Sequence, residues 1–113
     1  PLVFYRPNFG GIVLSAKALH ILQGLCIGIN DAYMLYHKSA NEYQTRCWTD
    51  NFKWFFIKKA FSKIKYIDNA HDLNAARECF VEMNKIGALD NPPFKWAAKV
   101  RAKIYDFIRP RNK

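Results

Sequence analysis

The sequence predicts an all-α fold, a compact bundle of four to five helices in which two long helices precede shorter ones. Three observations predict it. Apolar residues recur at i, i+3 and i+4 in every long stretch, and strict apolar/polar alternation over four or more residues is absent. The helix breakers gather at the N-terminus, around 67–71 and at 90–93, cutting the 113 residues into four helical stretches. Half of the residues are hydrophobic and 16% are aromatic, which excludes a disordered chain and allows one small domain to bury a core without metals or bridges. That domain covers 1–113, with an extended N-terminus over 1–8 and a basic tail over 110–113.

Helix one is expected over 9–36, entered through Pro7-Asn8. Lys17, His20, Gly24, Gly28 and Asp31 follow at steps of three or four, so they form one small and polar stripe, with Ile12, Val13, Leu19, Leu22 and Ile29 elsewhere. The stripe describes an amphipathic helix packed in a bundle. Within it Gly24-x-x-x-Gly28 is a close-approach signature that means most in lipid. Residues 11–29 also approach the length of a membrane span, about 20 apolar residues, although Lys17, His20 and Gln23 interrupt them.

Ser39-Ala40-Asn41-Glu42 reads as a capping box, so helix two starts there and runs to about 66. Trp54, Ile57, Phe61 and Ile64 share a face that meets the core. A second arc holds Trp48, Phe52, Phe55, Phe56, Lys59, Lys63 and Tyr66, interleaving aromatic rings with ammonium groups. One buried face cannot account for both sets. Burial on two sides with snorkelling lysines would explain the second arc; so would an exposed aromatic and basic surface, which soluble monomers rarely carry without a partner or membrane.

Asp72 is expected to cap helix three, about 72–87, whose apolar stripe is Leu73, Ala76, Phe80, Met83 and Ile86, with Glu78 and Glu82 facing water. Asp90-Asn91-Pro92-Pro93 ends it. Helix four, about 94–109, places Trp96, Val100, Ile104, Phe107 and Ile108 on one side and Lys95, Lys99, Lys103 and Asp106 on the other. Arg109, Arg111 and Lys113 extend the basic patch into the tail.

Eighteen Lys and Arg against nine Asp and Glu give a formal charge of +9. The excess is uneven, +5 over 36–66 and +6 over 94–113. Such charge favours an anionic partner: nucleic acid, an acidic lipid surface or a polyanionic glycoprotein coat. Nucleic acid ranks behind the others because no reading module accompanies the charge. Cys26, Cys47 and Cys79 lie far apart without a CxxC pair, so no metal or other cofactor is expected, and their oxidation state is left open. His20, His37 and His71 lack motif partners, and no Gly-rich phosphate loop, GxSxG elbow or HExxH pair occurs. The expectation is a protein that is not an enzyme.

Tyr43-Gln44-Thr45-Arg46-Cys47-Trp48, followed by Trp54 and Lys58-Lys59, resembles the second helix of the abalone sperm lysin family. A long apolar first helix, the stretch from Asp72 to Phe80, and Pro92-Pro93 before a short basic helix agree with it, over about two-thirds of the chain. The chain is shorter than a lysin, with a reduced connection between helices one and two. The resemblance implies a secreted, acrosomal, non-enzymatic helical bundle acting at fertilisation. The family's two activities are fusion of egg and sperm membranes, in the eighteen-kilodalton paralogue, and dissolution of the vitelline envelope, in lysin; the aromatic excess leans toward the fusogen. The partner expected is an anionic membrane surface or an egg-coat glycoprotein, with a homodimer allowed. An alternative of another class is a small accessory subunit of a membrane complex, spanning lipid once at 11–29.

Overall fold

A computed structural model describes residues 7–39 and 52–109, with side chains placed over 14–35 and 52–109. Among the described residues there are four α-helices and no strand: α1 (Pro7–Ser39), α2 (Lys53–Ser62), α3 (Ala70–Lys85) and α4 (Lys95–Ile108). A 3-10 turn, Lys63–Tyr66, prolongs α2. The all-α bundle expected from periodicity is the observed fold. Its boundaries differ in instructive ways.

Helix α1 starts at Pro7, so Pro7 and Asn8 are helical and not part of an extended arm; proline suits a first turn, where its missing N–H has no helical partner. It continues through Ser39, the residue expected to cap the next helix. The rest of that capping box lies within 40–51, outside the described residues, as do 1–6 and 110–113.

Ser15, Ala18, Leu22, Cys26, Ile29 and Tyr33 form the buried stripe of α1, at steps of three or four. Helix α2, the 3-10 turn and α3 pack against α1, while α4 packs on α2 and α3. Trp54, Ile57 and Ala60 from α2 are fully buried, with Phe61 and Ile64 packed at the edge of the same core. Phe61, Phe80 and Phe107 meet edge to face at centroid separations of 5.7–6.2 Å, tying α2, α3 and α4 together. Arg77 closes the far end. Its Nε donates to the Phe107 carbonyl at 2.9 Å and its guanidinium lies 4.8 Å from the Phe107 ring centroid.

Lys53, only 1% exposed, puts a charge into this core. Its Nζ donates to the Asp90 carbonyl at 3.1 Å and lies 5.1 Å and 5.6 Å from the ring centroids of Tyr33 and Trp54. The side chain therefore binds α1, α2 and the loop before α4 at one point. Burial, and after it the Asp90 carboxylate, pushes the Tyr33 hydroxyl up from its ordinary range, so the ring beside the ammonium stays neutral.

The end of α3 fixes that loop. Gly87 has φ +90° and Ala88 N–H donates to Met83 while Gly87 N–H donates to Asn84, the paired bonds of a Schellman cap. A Cβ on Gly87 would also lie 3.3 Å from the Tyr33 hydroxyl. Glycine is needed here for both reasons.

The start of α3 corrects the sequence reading. Its N-cap is Asn69, whose Oδ1 accepts from the Asp72 amide at 2.8 Å, so Asp72 is a first-turn residue and not the cap. Asp72 instead gathers donors: its Oδ2 accepts from buried Ser15 of α1 at 3.0 Å and from Asn69 Nδ2 at 3.1 Å, and His71 Nδ1 lies 3.2 Å from Oδ1. The Asn69, His71 and Ser15 bonds hold the Asp72 carboxyl below its usual value of 3.8. A depressed carboxylate stabilises the fold above its unfolded pKa and loses that contribution as pH falls through the lower folded value. Thermal melts between about pH 6 and about pH 2.5 should find Asp72→Asn less stable than the parent above pH 4, the gap closing below it; a gap that stays constant would contradict this linkage.

Candidate membrane- or partner-binding surface

The ten residues of α2 expose one side because the helix buries only the other. With Lys53, Trp54, Ile57 and Ala60 committed inward, the intervening Phe55, Phe56, Lys58 and Lys59 point outward by helical geometry. Phe52, Phe55 and Phe56 are 55%, 54% and 42% exposed. Tyr66 is exposed, Lys59 is exposed and Lys63 is half-buried. Of the aromatic and basic arc read from the sequence, Trp48 lies outside the described residues. Burial on two sides does not hold for the described rings.

Phe55 anchors one edge of this face. Its ring lies 6.0 Å from Phe94 and 5.2 Å from Trp96, which stack on each other at 5.4 Å, and Lys58 Nζ sits 4.9 Å from the Trp96 centroid. The cluster forms where α4 begins. Spacing puts Trp96 on the core side of α4; it is half-buried and belongs to the cluster as well. Phe94 and Lys58 were missed as members, since neither belongs to the aromatic arc by spacing. Their meeting depends on how the Pro92-Pro93 turn delivers α4 to α2, which no local pattern encodes.

The other edge is built by α1. Gly24, Leu25, Gly28, Ile29 and Phe56 line an almost wholly apolar groove of about 240 Å³. A second depression of about 220 Å³ follows along the same seam, lined by Leu14, Lys17, Ala18, Ile21, Lys63 and Tyr66. The polar and small stripe of α1, with Lys17, His20, Gly24, Gly28 and Asp31 all exposed, thus borders the aromatic arc of α2. Gly24 and Gly28 do not serve a close helix approach within the described residues: a Cβ at either would meet nothing within 4 Å.

Lys95, Lys99 and Lys103 are exposed on α4, opposite buried Ala97 and Ile104. Arg109 pairs with Asp106 at 2.9 Å, both well exposed, a pair that adds little to stability. Arg111 and Lys113 lie outside the described residues. The second patch therefore rests on a row of three lysines beginning beside the aromatic cluster.

Among the described residues no helix is long and apolar enough to cross a membrane. No group of three His, Cys, Asp or Glu among the described residues could hold a metal ion. No family model, curated protein or solved structure matches the chain.

If the rings on α2 are surface and not core, truncating them barely affects folding. Phe52→Ala and Phe56→Ala should each cost under about 1 kcal/mol in urea unfolding, against about 3–5 kcal/mol for Trp54→Ala. A loss at Phe56 as large as at Trp54 would return that ring to the core.

Proposed function

We propose that the chain is a non-enzymatic, cationic binder of anionic membrane surfaces that perturbs lipid through the α1–α2 face. One observation carries the reading: Phe52, Phe55 and Phe56 stand exposed together on a helix that also presents Lys58 and Lys59. Exposed aromatic rings beside ammonium groups match what an interfacial surface needs, apolar bodies to enter the acyl boundary and cations to meet headgroups. The formal charge of +9 adds long-range attraction, at about 1 kcal/mol per basic residue near an anionic bilayer. The resemblance to sperm lysins makes egg and sperm membranes the setting for this activity, with the protein secreted from the acrosome. Dissolution of an egg-coat glycoprotein layer is the second reading, favoured by the open lysine row of α4, which could compete for acidic contacts without entering lipid.

The two parts of the surface have separable physics. Salt screens charge attraction over roughly 10 Å at 0.1 M and leaves apolar burial largely intact. Phe52→Ala/Phe55→Ala/Phe56→Ala should lower leakage or fusion of anionic vesicles about tenfold at equal bound protein, while Lys95→Gln/Lys99→Gln/Lys103→Gln should weaken binding and flatten its salt dependence. Parent protein that binds anionic vesicles at low salt without leakage or fusion, yet dissolves isolated vitelline envelopes, would favour the second reading. Parent protein that does not bind such vesicles would overturn the first.

A further inference from the structure

On the flank of α1 away from the α2 seam, a groove of about 390 Å³ runs between α1 and α3. Gln23, Cys26 and Asn30 line one wall, and Glu78, Cys79 and Glu82 line the other. Cys26 and Cys79, 53 positions apart in sequence, face this one groove from α1 and α3, and both are free thiols. Their exposures differ. Cys26 belongs to the buried stripe of α1 and is 2% exposed, whereas Cys79 is half-buried on the groove wall.

We propose that Cys26 and Cys79 form an oxidisable dithiol site that takes up a small disulfide, such as oxidised glutathione, and closes into a bridge fastening α1 to α3. Nothing in the membrane reading is required for it. The order of events follows from access. Cys79, having given its proton to solvent, attacks one sulfur of the small disulfide; that S–S bond breaks, a mixed disulfide forms on Cys79, and one glutathione thiolate leaves and is protonated. Cys26 then loses its S–H proton to water and attacks Cys79 Sγ, displacing the second glutathione. Two protein thiols are oxidised and one disulfide is reduced to two thiols.

The environment of each sulfur supports the assignment of roles. The neighbouring Cys26 thiol lowers the Cys79 thiol, against the opposing effects of burial and Glu78, which favours thiolate on the more exposed sulfur. Cys79 in turn, with burial behind it, pushes Cys26 up and keeps it protonated until its partner is modified. The thiolate is the attacking species in exchange, and exposure decides which sulfur meets the reagent. Closing across the groove to a covalent S–S separation of roughly 2 Å asks for side-chain rotation and backbone give. The bridge would close a loop over 26–79, long enough for a large effect on the unfolded chain.

The test uses the full chain and oxidised glutathione. Trypsin separates Cys26, Cys47 and Cys79 into the peptides 18–38, 47–53 and 78–85, so non-reducing peptide mapping reports each pairing directly. Oxidation should join 18–38 to 78–85 and leave Cys47 alkylatable, in the parent and in Cys47→Ser alike. The melting temperature should rise by roughly 10–20 °C on oxidation and return on reduction. Cys26→Ser should stop at a glutathione adduct on Cys79, while Cys79→Ser should carry no adduct on Cys26. Peptide 47–53 joined to either partner as the main product, or Cys26 and Cys79 both remaining alkylatable after incubation with excess oxidised glutathione, would overturn the proposal. An adduct on Cys26 in folded Cys79→Ser would overturn the order of attack.

Discussion

Burial of a single stripe of α1 is the constraint on which the rest depends. Ser15, Ala18, Leu22, Cys26, Ile29 and Tyr33 give the other elements one line to pack along, and α2, the 3-10 turn and α3 all take it. A helix buried along one line leaves its flanks available. One flank, with Gly24 and Gly28, becomes the wall of the α2 seam, and the other, with Gln23 and Asn30, becomes the wall of the α3 groove. The exposure of Phe52, Phe55 and Phe56 follows from the same arrangement, since no fifth element among the described residues covers the outer side of α2.

Two polar contacts orient the packing that the apolar stripe only permits. Ser15 reaches from α1 to the first turn of α3 through Asp72, while Lys53 reaches from α2 to the Asp90 carbonyl beneath Tyr33. Each crosses between elements that hydrophobic burial alone would let slide. Burying an ammonium is costly, and a carbonyl acceptor with two ring faces offsets part of that cost. The arrangement specifies where the loop before α4 docks, and with it the meeting of Phe55, Phe94 and Trp96. In this way a buried lysine positions an exposed aromatic surface.

The helices were legible in the sequence because periodicity is local. The apolar positions read for α3, α4 and the inner face of α2 all pack on the core, and the polar stripe of α1 is exposed as read, although buried Ala60 and Ala97 were not among them. What was not legible depends on contacts between distant segments. Asn69, rather than Asp72, caps α3 because Asn69 is the last extended residue before the helix, and the Asp72 carboxylate engages Ser15, 57 positions earlier. Lys53 was missed although it stands four residues before Ile57 and seven before Ala60, on the buried line; a charged side chain at a core position signals burial only once its acceptor, 37 positions later, is known. Phe94 and Lys58 joined the surface through the turn geometry at Pro92-Pro93, and the groove that Cys26 and Cys79 share arose from helix register, which composition and spacing do not reveal.

The central claim is that the α1–α2 face, and not the α4 lysine row, enters lipid. Hydroxyl-radical footprinting with mass spectrometry measures this directly, because Phe52, Phe55, Phe56 and Tyr66 on that face and Tyr105 on α4 are all exposed in the free protein. Binding to anionic vesicles should suppress oxidation of Phe52, Phe56 and Tyr66 while Tyr105 remains labelled. Protection of Tyr105 with undiminished labelling of the α2 rings would contradict the account.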